Sequence, residues 1–232
     1  MKMKKSNEFL ATLGLLIFLM MFFTNFNLVQ EYKKIDLSDP FKNYISQDTE
    51  PYTVLKLTGS NGYPIEVRQA DENELKLLRS RTEHLTYRIH ADTLFIEFTG
   101  ARISKQQSMN STSPAAIIIQ KSRLPEIIAT DIHCKISDFK SEEMKLSIEG
   151  NALAEIKDCH FNRMEVGISQ QGHLEFFHQN SIDSLQLNMA NTSVAFLKNV
   201  NLHHIQQDLG DSIAIVLSNH VFSAFLNKPA SN

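Results

Sequence analysis

An all-β fold, a parallel β-helix-like solenoid with coils of about 20 residues preceded by a single N-terminal transmembrane helix, is predicted by three observations. The first is alternation. Met144, Leu146 and Ile148, then Met164, Val166 and Ile168, then Leu185, Leu187 and Met189 place an apolar residue at every second position, which is strand periodicity. The second is recurrence: the triplets start at 144, 164 and 185 and the next start falls at 205, giving periods of 20, 21 and 20. A repeat of this length carrying two strands and two turns is the signature of a solenoid. The third is an uncharged apolar run over 9–29, long enough to cross a bilayer.

Taken in order, the chain begins with a basic tail over 1–8 that holds Lys2, Lys4 and Lys5. The 21 positions of 9–29 would make a helix of about 31 Å at 1.5 Å per residue. Lysines before it favour a cytoplasmic N-terminus and an exported remainder, while Lys33 and Lys34 on the far side oppose that orientation. A cleaved signal peptide with its apolar core over 10–23 is the alternative, but the residues after it offer no small-x-small cleavage site. The polar stretch 30–51, with Asp39-Pro40 and no lasting periodicity, is expected to be a stalk.

The solenoid domain is expected over 52–226. It opens with Val54, Leu55 and Leu57, a turn over 59–62, then Ile65 and Val67. Leu75, Leu77 and Leu78 suit a short helix or a strand equally. The segments 85–89 and 94–98 flank His90 to Thr93, a tight turn between antiparallel strands. This irregular portion is expected to cap the first rung. A polar run over 101–113 reads as a surface loop, and Ile117 to Ile119 resume the sheet.

In the coils each triplet is followed by a polar turn and a second apolar pair: Ala154 with Ile156, Leu174 with Phe176, Val194 with Phe196. Phe161, Ile182 and Leu202 each stand three residues before a triplet. One period upstream lies Leu124, with Ile128 and Ile136 at the equivalent offsets and Glu126 at an expected inward position. Ile213, Ile215 and Leu217 form the last rung. A solenoid end must be covered, and Val221, Phe222, Phe225 and Leu226 are the expected cover, with 227–232 a frayed tail. The Leu-x-x-Leu-x-Leu framework of leucine-rich repeats is absent, as is helical spacing. An antiparallel meander with even strand spacing remains the competing arrangement.

The sequence resembles the auto-transporter adhesin head GIN domain family of Bacteroidetes-type envelope proteins. The resemblance is carried by the eight residues from Leu124 to Asp131, the strand-turn unit from Met144 to Asn151 with its echoes at Met164 and Leu185, and the strand from Asp92 to Thr99. It covers residues 52–220 and contains no catalytic signature. It implies a β-helical fold and an envelope location. The chain departs from the pattern in its few turn glycines, with Asn191-Thr192 where a Gly-Ser type pair is common.

The chain carries 23 basic and 26 acidic residues; without Lys2, Lys4, Lys5 and Glu8 the balance is 20 against 25, about −5. That argues against nucleic acid or an anionic membrane surface as the main partner. Cys134 and Cys159 fall at different positions of successive coils, too far apart along the strand for a disulfide, so free thiols are expected. Neither follows the apolar run, so there is no lipoprotein-type cysteine.

Two aspartates are the only candidate catalytic residues. Asp138 follows Ile136 by two residues and Asp158 follows Ile156 by two, so they stack on neighbouring rungs about 4.8 Å apart, with His178 at the same offset after Phe176. Such a pair could act as an acid pair in a β-helical carbohydrate-active enzyme. The competing reading is a coil corner, where Asp caps the turn. Nine histidines raise the question of a metal. His203 and His204 point to opposite faces, His133 and His173 are separated by Leu153, and neither they nor His220 matches a structural zinc spacing. No metal and no cofactor is expected. Gly-rich phosphate loops, a Gly-x-Ser-x-Gly elbow and a basic-aromatic stripe are all missing from the sequence.

The expectation is a non-enzymatic, membrane-anchored binding module for an envelope protein or a glycan. It would be held in a bacterial inner membrane through residues 9–29, with its C-terminal domain in the periplasm.

Overall fold

The computed structural model describes residues 5–34, 39–59, 63–99, 114–218 and 221–222. The first element, α1 (Lys5–Lys33), has described side chains that are exposed around its whole circumference, Leu10, Phe18, Phe22 and Phe26 among them. A helix that is apolar on every side suits lipid rather than water. The span Phe9–Lys33 has a mean hydropathy of 2.1 and is long and apolar enough to cross a membrane. Thr24 donates its hydroxyl to the Met20 carbonyl at 2.8 Å, which satisfies the polar group inside the helix.

The helix runs four residues beyond the uncharged segment, and the polar stretch expected as a stalk over 30–51 contains a strand, β1 (Tyr44–Asp48). That strand escaped the periodicity test because it lies at a sheet edge, pairs antiparallel with β4 (Glu74–Leu78), and buries no residue fully. Tyr44 anchors it by donating its hydroxyl to the Ala115 carbonyl at 2.8 Å. The ambiguous leucines resolve as strand: Leu75 and Leu77 face the core, and a 3-10 turn over Arg79–His84 follows.

The other N-terminal strands are β2 (Val54–Thr58), β3 (Ile65–Gln69), β5 (Leu85–His90), β6 (Thr93–Phe98) and β7 (Ile117–Lys121). Strands β5 and β6 form the expected antiparallel hairpin with His90 opposite Thr93, and Ala91 at the turn takes a φ of 54°. Five consecutive coils follow: β8 (Glu126–Thr130) with β9 (His133–Ser137), β10 (Lys140–Glu149) with β11 (Leu153–Lys157), β12 (His160–Ile168) with β13 (His173–Phe177), β14 (Asn180–Met189) with β15 (Val194–Leu197), and β16 (Val200–Leu209) with β17 (Ala214–Leu217). All neighbouring rungs from β8 to β17 pair in parallel. The fold is therefore a β-solenoid and not a meander.

The N-terminal strands add two more rungs out of chain order. In space, β2 lies between β6 and β8, and β3 lies between β7 and β9. The chain builds the β2/β3 rung first, turns back through β4 and β5 to cap the end, lays down β6 and β7 outside it, and then crosses over it through 122–125. Gln69 at the end of β3 ties this crossing down, donating to the Ser122 carbonyl at 2.9 Å and accepting from the Lys140 N–H at 2.8 Å.

Between the two sheets run the alternating residues. One sheet contributes the columns Met144–Met164–Leu185, Leu146–Val166–Leu187 and Ile148–Ile168–Met189; the other contributes Cys134–Ala154–Leu174–Ala195 and Ile136–Ile156–Phe176–Leu197. All are buried; sinking each large side chain contributes about 1.5–3 kcal/mol relative to exposure. Both cysteines are free and buried, and burial pushes each thiol up to about 12.

Two registers differ from the sequence expectation. In the first regular coil Ile127 and Ala129 face the core, not Ile128, and Glu126 points out to within 3.9 Å of Lys145. The cause is a turn one residue shorter than in the next coil, with Asp131 in the left-handed region at φ 54° and its Oδ1 accepting from the Asn151 N–H at 2.8 Å. Gly150 faces that carboxylate at φ +67°, and a Cβ there would overlap it. In the fourth coil Ala195 and Leu197 are buried, whereas Val194 and Phe196 lie on the outer face. The 21-residue coil shifts the register by one.

At the far end Val221 is fully buried as expected and Phe222 is exposed. The loop expected over 101–113, the covering residues Phe225 and Leu226, His220 and the tail over 227–232 lie outside the described residues.

Candidate functional site

The 21-residue coil acquires its extra residue at one corner. Asp158 pairs along the coil axis with His178, and Cys159 with Asn180, so Gln179 has no counterpart in the coil before. The coil after lacks a counterpart too, because Asn180 is opposite Val200. Asp138, Asp158 and His178 all take left-handed conformations, at φ 63°, 54° and 56°. Asp reaches that region at lower cost than most residues because its short side chain bonds locally, which explains the Asp-Asp-His column in chain terms.

Within the column, Asp158 Oδ2 lies 3.4 Å from His178 Nδ1 and 3.9 Å from Lys157 Nζ, and Oδ1 accepts from the Gln179 N–H at 3.4 Å. One carboxylate thus holds the widened corner of the following coil. Asp138 has its N–H donated to the Lys157 carbonyl at 3.1 Å. The structure does stack Asp138 and Asp158 as the sequence indicated, and it gives them the geometry of turn-forming residues.

Beneath the corner sits Asn180, which sequence reasoning missed. It is 4% exposed in a column otherwise made of Phe139, Cys159 and Val200. A buried amide is tolerated only when its donors and acceptor are used. Asn180 Oδ1 accepts from the Cys159 N–H at 3.0 Å, and Nδ2 donates to the carbonyls of Phe177, Asn199 and Ile156 at 2.8, 3.1 and 3.3 Å. The neighbouring Asn199 side chain donates to the Phe176 carbonyl at 3.0 Å. The 21-residue period marks the inserted residue but not which polar side chain turns inward.

Outside the corner is a depression of about 590 Å³ lined by His160, His178, Gln179, Ser181, Lys198 and Asn201. A second, smaller groove of about 380 Å³ runs across β10, β12, β14 and β16, where Gly167 leaves a gap between Ser147, Asn188 and Asp208. The outer face beyond β9, β11 and β13 carries a denser polar cluster: His133 Nε2 lies 3.0 Å and Lys135 Nζ 3.7 Å from the Glu155 carboxylate. Burial pushes the Glu155 carboxyl up, but His133 and Lys135 outweigh it and hold it below the ordinary carboxylate range. His173 stacks on Phe196 with ring centres 5.0 Å apart, and burial lowers its pKa from 6.5.

Leu153 separates His133 from His173, and His203 pairs with Asp183 at 3.1 Å. Among the described residues no three His, Cys, Asp or Glu side chains converge on a point.

No family model and no curated protein matches the chain. Solved structures do. A candidate lipid-binding protein from Parabacteroides distasonis ATCC 8503 is similar at 15% identity over 76% of this chain and 95% of that one, with a TM-score of 0.47. A candidate adhesin from Bacteroides fragilis NCTC 9343 is similar at 10% identity over 77% and 95%, with a TM-score of 0.43. A further candidate adhesin, from Parabacteroides merdae ATCC 43184, matches at 11% identity over 76% and 95%, with a TM-score of 0.34. These similar structures come from Bacteroidetes. The GIN resemblance itself rests on the strand-and-turn residues quoted above.

Proposed function

We propose that this chain is a membrane-anchored, non-enzymatic binding module whose solenoid presents its outer faces to an envelope protein or glycan. The observation that carries the reading is the construction of those faces. Regular rungs set outward side chains into fixed polar columns, such as Lys145–Glu165–Gln186–Gln206 and Lys135–Glu155–Glu175, with shallow concavities between them. Extended, rigid surfaces of this kind bind partners without a deep pocket.

The exposed apolar helix over Phe9–Lys33 supports a membrane segment, the missing small-x-small site after it supports an uncleaved anchor, and the lysines before it support an inner-membrane protein with its C-terminal domain in the periplasm. The corner geometry of Asp138 and Asp158 supports a structural role for both.

The test has two parts. N-terminal sequencing and protease protection of the membrane-bound protein should find the chain intact from residue 1 and its domain on the periplasmic side. Screening the full chain in detergent micelles against envelope proteins and glycans should give retention without turnover. A soluble, shortened product would remove the anchor, and cleavage of a glycan would replace the binding module with an enzyme.

A further inference from the structure

We propose that the depression at the Gln179 corner is a saccharide-binding subsite, selective for a sugar that carries a carboxylate. The inference rests on the binding-module reading above and assigns it a place and a ligand chemistry.

Three observations converge on this corner. Its volume of about 590 Å³ falls within the range of about 300–1,000 Å³ typical of small-ligand sites. The lining offers both donors and acceptors at short spacing: the amide of Gln179, the hydroxyl of Ser181, and the imidazoles of His160 and His178. That mixture suits a ligand whose hydroxyls both donate and accept. An acyl chain or the apolar face of a helix would leave these groups desolvated without partners, at a cost per group of about 1–3 kcal/mol.

The charge at the rim selects further. Lys198 is exposed on the lining, while the nearby Asp158 carboxylate is already engaged by His178 and Lys157. The net field at the mouth therefore favours an anion.

The third observation is that the concavity is constructed. It lies where one coil carries an extra residue: the Asp158 carboxylate takes the Gln179 N–H, and beneath it a buried amide closes the corner with four hydrogen bonds to Cys159, Ile156, Phe177 and Asn199 in an apolar column. A plain 20-residue coil would need neither. The aromatic pair on the adjacent face is a poorer sugar platform, because His173 and Phe196 are stacked on each other and each covers a face of its partner. The groove at Gly167 brings no lysine, arginine or histidine to its lining.

The probes are a trigalacturonate and the neutral maltotriose, titrated calorimetrically into the full chain in detergent micelles. The expected result is binding of trigalacturonate with maltotriose at least about tenfold weaker, and loss of that preference in Lys198→Ala. Gln179→Ala, at an exposed position that cannot unfold the coil, should weaken trigalacturonate by about tenfold, as removal of polar contacts does. Asn188→Ala, in the other groove, should bind as the wild type does. Equal affinity in Gln179→Ala, Lys198→Ala and wild type would overturn the assignment, and so would binding of neither saccharide. In that last case capture of an envelope protein in the separate screen would still uphold the binding module, so the two readings fail independently.

Discussion

The side-chain oxygen of Asn180 takes the backbone N–H of Cys159 at 3.0 Å, one rung away, where the β ladder would otherwise be broken by the extra residue Gln179. The same side chain closes three carbonyls. Replacing it with valine, the residue at that position in the next coil, removes the donors and the acceptor together. Asn180→Val should cost about 2–3 kcal/mol and lower the unfolding midpoint by roughly 5–10 °C, read by thermal denaturation. Midpoints that coincide with wild type would show that the coil closes without the amide.

Gly150 sits at φ +67° against the Asp131 carboxylate. A methyl group there meets both backbone strain and a collision, so Gly150→Ala should destabilise by more than about 1 kcal/mol. Adding Asp131→Ala removes the collision and leaves the strain. The double variant should recover less than the full loss, a comparison made by chemical denaturation.

Burial lowers the His173 pKa below 6.5. The unfolded chain then binds more protons than the folded one, so the contribution is fully present above about pH 6.5 and is lost as pH falls toward the depressed folded value. His173→Phe keeps a ring against Phe196 and removes the titration. Its stability should change less between pH 7 and pH 5 than that of the wild type, measured as the denaturation midpoint at each pH.

Both thiols are buried and pushed up to about 12, so little thiolate exists at pH 8. Iodoacetamide should leave the native chain unlabelled and modify two sites after unfolding, counted by mass spectrometry. Labelling of Cys159 in the native state would show that the corner opens.

The regular coils were legible because burial on one side of a strand writes itself as alternation, and because each rung repeats the one before. Val194, Ala195, Phe196 and Leu197 mark where that signal fails: all four are apolar, so the sequence alone does not say which pair turns inward, and the corner insertion decides it. Ile127 and Ile128 posed the same ambiguity, settled by a turn one residue short. β1 was hidden because its hold is backbone pairing at an edge. The Asp138, Asp158 and His178 column could be read from spacing. Asn180 could not, since a polar residue beside a turn looks the same whether its side chain enters water or the core.

The β2/β3 rung lies between rungs that the chain makes later. A solenoid wound in chain order peels from its end like tape, one rung per step. Here tension applied through the N-terminus first strips β1, and then meets β2 with β6 on one flank and β8 on the other. Freeing it ruptures two parallel ladders at once. The winding order makes the N-terminal end a mechanical clasp, placed where a tethered domain would take its load.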